Sequence, residues 1–380
     1  MKIAFVGGGT GGHFYPHIAV TEAIEAITEE KRLLMPNLYY MGPSPFDPQT
    51  LIEHAIEYIP IPAGKLRRYG SILNIIDSFV ALIGVLRAIP AVYSLYPDVF
   101  FSTGGYAAFP PLAAAKLLRI PVVLYDADAK PGRVSLWSAR FAERIAVAHP
   151  EASLEFPLKL RSKIARVGHP VRQEILGVLK EGGYEFLHLD AAVPTILVMG
   201  GSQGARTINE TLLDALAELV TRYNVIHQTG AANLNECSGI ASVILRDSPH
   251  KERYRAYGLL NALALRMAAG ASNVVIARAG SGTIFEIAAW GKPSILIPIP
   301  SDVSHDQIQN AFSYARAGGA SVVEQANLSP HVLIAEIDRL MSSDALRRTM
   351  AEAAAHFAQP DAARKIAETL LEIGISHEPT

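Results

Sequence analysis

Two segments of this chain share one arrangement, a short apolar run followed by a glycine-rich turn and then a helical pattern. The first is KIAFVGGGTGGH at residues 2–13, and the second is TILVMGGSQGAR at 195–206. Runs that are apolar on both faces are typical of parallel strands buried between two layers of helices. The repeat predicts two α/β domains in tandem, each Rossmann-like and doubly wound around a parallel sheet.

The rest of the chain continues this alternation of strands and helices. A length of 380 residues also favours two domains over one. We expect a boundary near VGHPVRQEI, with an N-terminal domain of 1–170 and a C-terminal domain of 171–380, whose last helix could instead return to the first domain. The predicted strands are 2–6, 38–41, 98–102, 121–125, 144–148, 164–167, 195–199, 224–228, 242–245, 273–277 and 294–298.

Composition excludes several classes of protein. A net charge of −2 gives no basic excess to attract nucleic acid, and one cysteine, Cys237, excludes an internal disulfide. A strand begins at Lys2 without a charged and apolar leader, so we expect no secretory signal. The longest apolar run, FVALIGVL (79–86), is far shorter than the roughly 20 residues that span a bilayer. We expect a cytoplasmic protein that is soluble or peripheral to a membrane.

Glycine-rich turns follow predicted strands at four places. They are 7–13, 104–106, 200–206 and 278–286. Such a turn before a helix offers unpaired backbone N–H groups and the positive end of the helix dipole, which favour a phosphate. The simpler interpretation is that glycine only permits a tight turn. The first turn also fits a dinucleotide fingerprint, but no acidic residue ends the second strand, LYYMGPSP, so NAD is disfavoured.

The fourth turn, RAGSGTIFE, has two interpretations. In the structural one, Thr283 begins the helix as its N-cap and Glu286 completes a capping box. In the functional one, the helix N-terminus contacts a diphosphate and Glu286 accepts hydrogen bonds from two ribose hydroxyls. The turn is richer in glycine than a cap requires, which favours the functional interpretation.

Taken together, these motifs resemble the MurG family of UDP-N-acetylglucosamine transferases. The matching segments are GGGTGGHFYP, GGYAAFPP, PGR, GHPVR, GGSQGAR, HQTG, RAGSGTIFEIAAWGKPSILIP and HDQIQNA, spread from about residue 2 to 372. The resemblance implies a GT-B fold with an interdomain cleft, a lipid acceptor on the N-terminal domain and a UDP-sugar on the C-terminal domain. The implied reaction is inverting transfer of GlcNAc from UDP-GlcNAc to the C4 hydroxyl of MurNAc in lipid I, which forms lipid II for peptidoglycan.

The resemblance also implies roles for individual residues. The candidate catalytic base is His13, because imidazole as a side-chain type is suited to proton transfer near neutral pH, and Asp126 and Asp128 are the rival candidates. His13 could instead only bind the acceptor diphosphate or pack at the start of the helix. The acceptor residues are Gly12, His13, Gly104, Gly105 and Tyr106. The donor residues are Thr10, Gly11, Gly12, Asp128, Arg172, Ser202, Gln203, Gly204, Arg278, Ser281, Gly282, Thr283, Glu286, Gln307 and Asn310.

The chain departs from the family pattern at several positions. YDAD (125–128) stands where H-E-x-N is usual, His169 replaces an asparagine, and Asp306 replaces a glutamine or histidine. These changes keep polar character, so we expect altered sugar contacts and not a different reaction. No metal-ligand cluster is apparent, and Arg278 with the following helix could stabilise the departing UDP. We therefore expect no metal and no other cofactor.

The segment 65–93 is basic and then strongly apolar. It predicts contact with anionic headgroups and the membrane interface, which places the protein peripherally on the cytoplasmic face of the cell membrane. The alternative is a loop followed by a core helix. The proposed membrane residues are Lys65, Arg67, Arg68, Ile72, Leu73, Ile75, Ile76 and Phe79.

Two other functions stay open on the sequence alone. One is another enzyme of the same fold, such as a diacylglycerol glycosyltransferase or a UDP-GlcNAc 2-epimerase. The other is a non-catalytic lipid- or nucleotide-binding subunit, against which the intact turns in both halves argue.

Overall fold

The computed structural model describes residues 1–65, 73–201, 205–301 and 306–377. The chain forms two compact units. Unit 1 comprises Met1–Gln173 and Gln359–Thr380, and unit 2 comprises Glu174–Ala358. The last helix thus belongs to unit 1. The sequence had left open whether it continues the C-terminal domain or returns to the N-terminal one.

Unit 1 is built on a parallel sheet, with seven strands among the described residues, in the order β3-β2-β1-β4-β5-β6-β7. The inner strands are apolar on both faces and almost wholly buried, as a sheet between two helix layers requires. The strands are β1 (Lys2–Val6), β2 (Asn37–Gly42), β3 (Glu57–Pro60), β4 (Val99–Ser102), β5 (Val122–Asp126), β6 (Arg144–Val147) and β7 (Ile164–Arg166).

The helices of unit 1 cover this sheet. They are α1 (Gly11–Lys31), α2 (Pro48–Glu53), α3 (Leu73–Leu95), α4 (Phe109–Leu118), α5 (Arg133–Ser138), α6 (Ala152–Glu155) and the last helix of the chain, α15 (Ala362–His377). Helix α15 packs against α1, and its buried face includes Ile366 and Leu370. An ion pair between Arg364 and Glu30, 2.8 Å apart, joins the two helices at the surface.

Unit 2 repeats the plan, with six parallel strands in the part of it that is described, ordered β10-β9-β8-β11-β12-β13. The strands are β8 (Thr195–Met199), β9 (Asn224–Gln228), β10 (Tyr254–Tyr257), β11 (Val274–Ala277), β12 (Ser294–Leu296) and β13 (Ala320–Val322). The helices are α7 (Gly183–Phe186), α8 (Arg206–Arg222), α9 (Leu234–Ile244), α10 (Ala262–Ala271), α11 (Ser281–Ala289), α12 (Gln307–Arg316), α13 (Pro330–Met341) and α14 (Asp344–Phe357). The prediction of two doubly wound parallel-sheet domains is confirmed.

One predicted strand is wrong. Residues 242–244 form the end of helix α9 and Leu245 is its C-cap, so this segment is not a strand. Cys237, Ala241 and Leu245 recur every fourth residue and are buried in the core of unit 2. This spacing is helical, and the short β-branched run within it was misleading.

Helix α3 extends well beyond the apolar run 79–86 that lies within it. Among the described residues, Ile76–Leu95 is one helical segment long and apolar enough to cross a membrane, judged by length and composition alone. The uninterrupted apolar run is only 79–86 because the charged residues Asp77 and Arg87 lie on either side of it. The helix itself continues past both residues and is mainly apolar there. Within unit 1 the helix packs on α4, and its inner face contributes Ala88 and Val92 to the core.

Candidate active site

The four glycine-rich turns fall at the two points where strand order reverses. In unit 1 the chain runs outward from β1 to β3 and then returns to β4, so the turns after β1 and β4 are neighbours. In unit 2 the carboxyl ends of β8 and β11, which the other two glycine-rich segments follow, are neighbours for the same reason. Open α/β sheets bind ligands at the carboxyl ends of their strands at such switch points.

Helix α1 begins at Gly11 directly after the first turn. Its N-cap is Thr10, whose side chain makes no capping hydrogen bond among the described residues. Some other helices are closed by a side chain at this position, for example α2 by Asp47 and α10 by Asn261. The first-turn N–H groups of Gly11 and Gly12 are therefore suited to an anion.

The first turn also lies against the second. Gly9 has φ of 96°, and a Cβ there would stand 3.0 Å from the ring of Tyr106. Only glycine accepts both the backbone conformation and this contact without strain. Tyr106 therefore borders the first turn, as its implied acceptor role requires.

His13 lies in the first turn of α1 and is held by Thr103. Its Nδ1 is 2.9 Å from the Thr103 carbonyl oxygen, and the Thr103 hydroxyl donates to the His13 carbonyl at 2.9 Å. A carbonyl can only accept, so Nδ1 carries the proton and Nε2 keeps a lone pair. Nε2 faces Gly105, where a Cβ would stand 3.4 Å away. This tautomer is the one a general base at Nε2 needs.

Gly104 connects this side of the site to Asp126. A Cβ at Gly104 would stand 2.6 Å from the Ser135 hydroxyl oxygen, and Ser135 is hydrogen-bonded to the Asp126 carboxyl group. The Asp126 carboxyl also accepts the backbone N–H of Asp128 at 3.2 Å. The structure thus brings the two candidate bases into one continuous set of contacts across β1, β4 and β5.

Asp126 is almost fully buried at the end of β5. Burial, with a smaller effect from the Asp128 charge, raises the pKa of Asp126 to about 7. A carboxyl group with this pKa is poised to accept or release a proton near neutral pH.

Two of the departures from the family pattern contact each other. The Tyr125 hydroxyl lies 2.6 Å from Nδ1 of His169, and both side chains are buried. Burial lowers the pKa of His169 to about 3 and raises that of Tyr125 well above its usual value, so the phenol donates to a neutral imidazole. The pair is a satisfied buried contact beside Asp126.

Arg172 stacks on an aromatic ring of unit 1. Its guanidinium carbon is 3.9 Å from the centroid of Tyr15, which follows the first turn on α1. Neighbouring Gln173 donates its backbone N–H to Glu22 at 2.8 Å. These contacts place a cation beside the N-terminus of α1.

In unit 2, helix α11 begins at Ser281 with Gly280 as its N-cap. The capping-box interpretation is therefore wrong. It requires Thr283 at the N-cap, but Thr283 lies inside the first turn of the helix, and Glu286 lies in the second turn. A glycine N-cap has no side chain to close the helix end. The first turn, which contains Ser281, Gly282 and Thr283, is therefore suited to an anion.

Gln307 joins the turns that follow β11 and β12. Its side-chain oxygen accepts the backbone N–H groups of Ala279 at 3.2 Å and Ile299 at 3.1 Å. Asn310 is fully buried behind it, with Nδ2 3.4 Å from the Ala279 carbonyl oxygen. The amide nitrogen of Gln307 lies 4.0 Å from where a Cβ at Gly280 would stand, so it faces the start of α11.

Arg278 precedes the same helix. Its Nη1 donates to the Ile297 carbonyl oxygen at 3.1 Å, and burial lowers the pKa of its guanidinium from the ordinary value. Such a group stays charged at neutral pH, and partial burial strengthens its attraction for an anion. Asp306 lies just before Gln307, at the N-cap of α12.

Several predicted residues lie outside the described part of the chain. The donor residues Ser202, Gln203 and Gly204 belong to this group, as do the membrane residues Arg67, Arg68 and Ile72. Ile75 lies on α3, but its side chain is not described. Within the described ranges, no group of three or more His, Cys, Asp or Glu side chains is arranged to hold a metal ion.

Helix α3 presents an exposed apolar face. Its side chains recur at helical spacing, and Lys65 is exposed near its first turn, where Gly64 lies against the Asp77 carbonyl. The face consists of Ile76, Phe79, Leu82, Ile83, Leu86 and Tyr93, which are between 47% and 69% exposed. The sequence predicted its first part, at Ile76 and Phe79, and missed its extension to Tyr93.

Comparison with known proteins identifies the family. The family models of the glycosyltransferase family 28 N-terminal and C-terminal domains match residues 3–147 and 195–366. A UDP-N-acetylglucosamine–N-acetylmuramyl-(pentapeptide) pyrophosphoryl-undecaprenol N-acetylglucosamine transferase of Treponema denticola is 34% identical over 97% of this chain and 96% of its own. A Bacillus cereus relative of the same name, numbered 2, is 36% identical over 92% and 94%. The chain belongs to the MurG family.

Solved structures agree with this fold. The crystal structure of Acinetobacter baumannii MurG matches with a TM-score of 0.73 at 24% identity, covering 98% of this chain and 99% of that one. A UDP-GlcNAc 2-epimerase from Neisseria meningitidis matches with a TM-score of 0.66 at 15% identity, covering 98% and 100%. At such identities the likeness shows the fold alone, which is the GT-B fold predicted for the MurG family.

Proposed function

We infer that this protein transfers GlcNAc from UDP-GlcNAc to the C4 hydroxyl of MurNAc in lipid I, forming lipid II for peptidoglycan. Nearly full-length identity of 34–36% to relatives named for this transfer carries the conclusion. The protein is therefore a hexosyltransferase, with UDP-GlcNAc as donor and a lipid-linked sugar as acceptor.

The acceptor's diphosphate is proposed to bind at the N-terminus of α1. The first-turn amides of Gly11 and Gly12 supply donors, and the helix dipole favours the negative charge. Gly105 and Tyr106 border this turn and would hold the sugar next to the phosphate.

The chemical step is a single inverting displacement. The acceptor oxygen bonds to the anomeric carbon, the bond from that carbon to the UDP oxygen breaks, and the hydroxyl proton passes to a base. We assign the proton to Nε2 of His13 or to the Asp126 carboxylate. The neutral His13 ring carries its proton on Nδ1, which leaves a lone pair on Nε2, and Asp126 has a pKa of about 7.

The departing UDP gains charge that unit 2 is suited to stabilise. Arg278 and the first turn of α11 would bind the diphosphate, and Glu286 would accept hydrogen bonds from the ribose. Because these groups supply positive charge, turnover should continue in the presence of a chelator. Chelator inhibition reversed by Mg²⁺ would contradict this mechanism.

The test is transfer of labelled GlcNAc from UDP-GlcNAc to lipid I in detergent, with the His13→Ala protein in parallel. We expect product only with the acceptor present and at least a hundredfold less with the variant. Epimerisation of UDP-GlcNAc without acceptor would support the epimerase alternative instead.

The exposed face of α3 is proposed to contact an anionic membrane peripherally on the cytoplasmic side, where the lipid acceptor is found. Six apolar side chains at helical spacing are suited to the interface, and Lys65 to the headgroups. Phe79→Asp with Leu86→Asp should reduce co-sedimentation with anionic vesicles severalfold. Leu158→Asp, at an equally exposed leucine elsewhere in unit 1, is the control, and equal binding by all three proteins would contradict the proposal.

A further inference from the structure

The loop between β2 and α2, residues 43–47, exposes a phenylalanine. Phe46 is 39% exposed although the loop around it, PSPFDP, carries three prolines that restrict its backbone. Asp47 also fixes the loop, since its carboxylate accepts the N–H of Thr50 at 3.3 Å and the Thr50 hydroxyl at 2.8 Å. The chain therefore holds this ring in place at the surface.

Phe46 borders the turn to which the acceptor diphosphate is assigned. A Cβ at Gly11 would stand 3.3 Å from its ring. On the other side, the ring centroid lies 5.7 Å from that of Tyr15 and 6.2 Å from that of Phe14. One edge of the ring is packed, and the remainder faces solvent beside the helix N-terminus.

Strand order fixes what lies on either side of this loop. The carboxyl ends of β3, β2 and β1 follow one another along one edge of the sheet. The segment after β3 meets α3, where a Cβ at Gly84 would stand 2.0 Å from the Pro62 carbonyl oxygen. The loop after β2 therefore lies between the segment that meets α3 and the turn at Gly11.

A second half-exposed aromatic residue lies in the same interval. Tyr58 on β3 is 38% exposed, and its hydroxyl donates to the Gly42 carbonyl oxygen at 3.3 Å, at the carboxyl end of β2. Two partly exposed aromatic side chains, Phe46 and Tyr58, therefore lie on the side of the sheet between α3 and the glycine turn.

We propose that Phe46 contacts the first isoprene units of the acceptor's prenyl chain. This inference rests on the proposed function. The prenyl chain is bonded directly to the diphosphate, so a ligand with its diphosphate at Gly11 and its far end in the membrane has to cross the loop after β2. Contact with an apolar ring there removes apolar surface of the prenyl chain from water, which stabilises the complex. The pyranose of the acceptor would then extend the other way, toward β4 and β5, where His13 and Asp126 lie.

The experiment measures equilibrium binding of undecaprenyl diphosphate, and transfer to two acceptors that carry the undecaprenyl chain or a methyl group in its place. Phe46→Ala should weaken undecaprenyl diphosphate binding, and lower kcat/KM for the undecaprenyl acceptor, by about fivefold. It should leave the methyl acceptor unchanged, and Phe46→Leu should restore most of the loss because only apolar area is needed.

The control is Leu34→Ala, which removes a 95% exposed leucine before β2, at the amino ends of the strands and away from the glycine turns. All variants should melt at the wild-type temperature. An equal loss on both acceptors that Phe46→Leu fails to restore would assign the ring to the sugar, and no loss at all would also overturn the proposal. Because the binding arm needs no turnover, it tests this contact even if the wild-type protein transfers to neither acceptor, a result that would instead refute the proposed function.

Discussion

The two helix N-termini at the switch points look alike in backbone and differ in their surroundings. Helix α1 in unit 1 and helix α11 in unit 2 each follow a central strand and a glycine turn, and neither has a side-chain cap among the described residues. Around α1 lie His13, whose Nδ1 is held by the Thr103 carbonyl, and the buried Asp126, whose pKa is raised to about 7. Around α11 lie the permanent cation Arg278 and the amide of Gln307.

We infer from this difference that the same arrangement of strand, glycine turn and helix has two roles in the protein. Both termini are suited to a diphosphate, but the groups beside α1 can also move a proton, while those beside α11 can only bind charge. We therefore expect variants of unit 1 to affect the rate of the chemical step most, and variants of unit 2 to affect donor affinity most.

The largest expected effect follows from His13. His13→Gln keeps a polar side chain but removes the lone pair at Nε2, so kcat should fall about a thousandfold. UDP affinity, measured by calorimetry, should stay within about twofold of wild type. A variant that loses UDP affinity and keeps its kcat would reverse the proposed division of roles.

Glu286→Gln should affect donor affinity and not the rate of the chemical step. Loss of the charged acceptor should weaken UDP binding by about thirtyfold, because hydrogen bonds to a charged group contribute roughly 2 kcal/mol. At saturating UDP-GlcNAc, kcat should change much less. Normal donor affinity in this variant would revive a non-catalytic role for the turn.

Asp126 predicts a pH dependence of activity. With a pKa of about 7, the carboxylate fraction grows as pH rises, so kcat/KM should increase up to about pH 7 and then level. Asp126→Asn should lower the rate about a hundredfold and remove this rise. Asp128→Asn is the matched control, since losing the neighbouring charge should shift the rise to lower pH.

The same shift predicts a pH dependence of stability. The folded state binds the Asp126 proton more tightly than the unfolded state, whose pKa is near 3.8. The stabilisation is complete below about pH 4 and is lost as pH rises through about 7. The free energy of unfolding of wild type relative to Asp126→Asn, measured by urea denaturation, should therefore fall across this range. A difference between the two proteins that is the same at every pH would contradict the shift.

Gln307 offers the smallest effect. Gln307→Ala leaves the N–H groups of Ala279 and Ile299 without their acceptor, which should lower the melting temperature by about 3 °C and raise the KM for UDP-GlcNAc. Gln307→Glu keeps an accepting oxygen, so it should restore the melting temperature while the KM stays raised through loss of the amide N–H. Equal melting of all three proteins would show that the side chain does not join the two turns.

The sequence predicted the inner strands well because their composition follows from burial on both faces. The missed strands β3, β10 and β13 are all at sheet edges, where short runs such as EYIP and ASV are partly exposed and lack the apolar pattern. The turns were found because glycine spacing is local. The position of the α11 N-cap was missed because glycine can replace a capping side chain.

The residues that orient the site could not be found in this way. Thr103 fixes the tautomer of His13 from 90 positions away along the chain, and Ser135 joins Gly104 to Asp126 through contacts that only the folded sheet creates. Phe46 was passed over for the same reason. Pattern identifies the elements of a site, whereas its orientation depends on tertiary contacts.

We propose that the two helix termini bind two different diphosphates. Hydrogen–deuterium exchange of the backbone amides at 11–12 and 281–283 tests it directly, because the first N–H groups of an α-helix have no carbonyl partner within the helix and a bound anion would accept them. We predict that UDP slows exchange at 281–283 alone and that undecaprenyl diphosphate slows it at 11–12 alone. Protection of both turns by UDP, or of 281–283 by the lipid, would contradict the account.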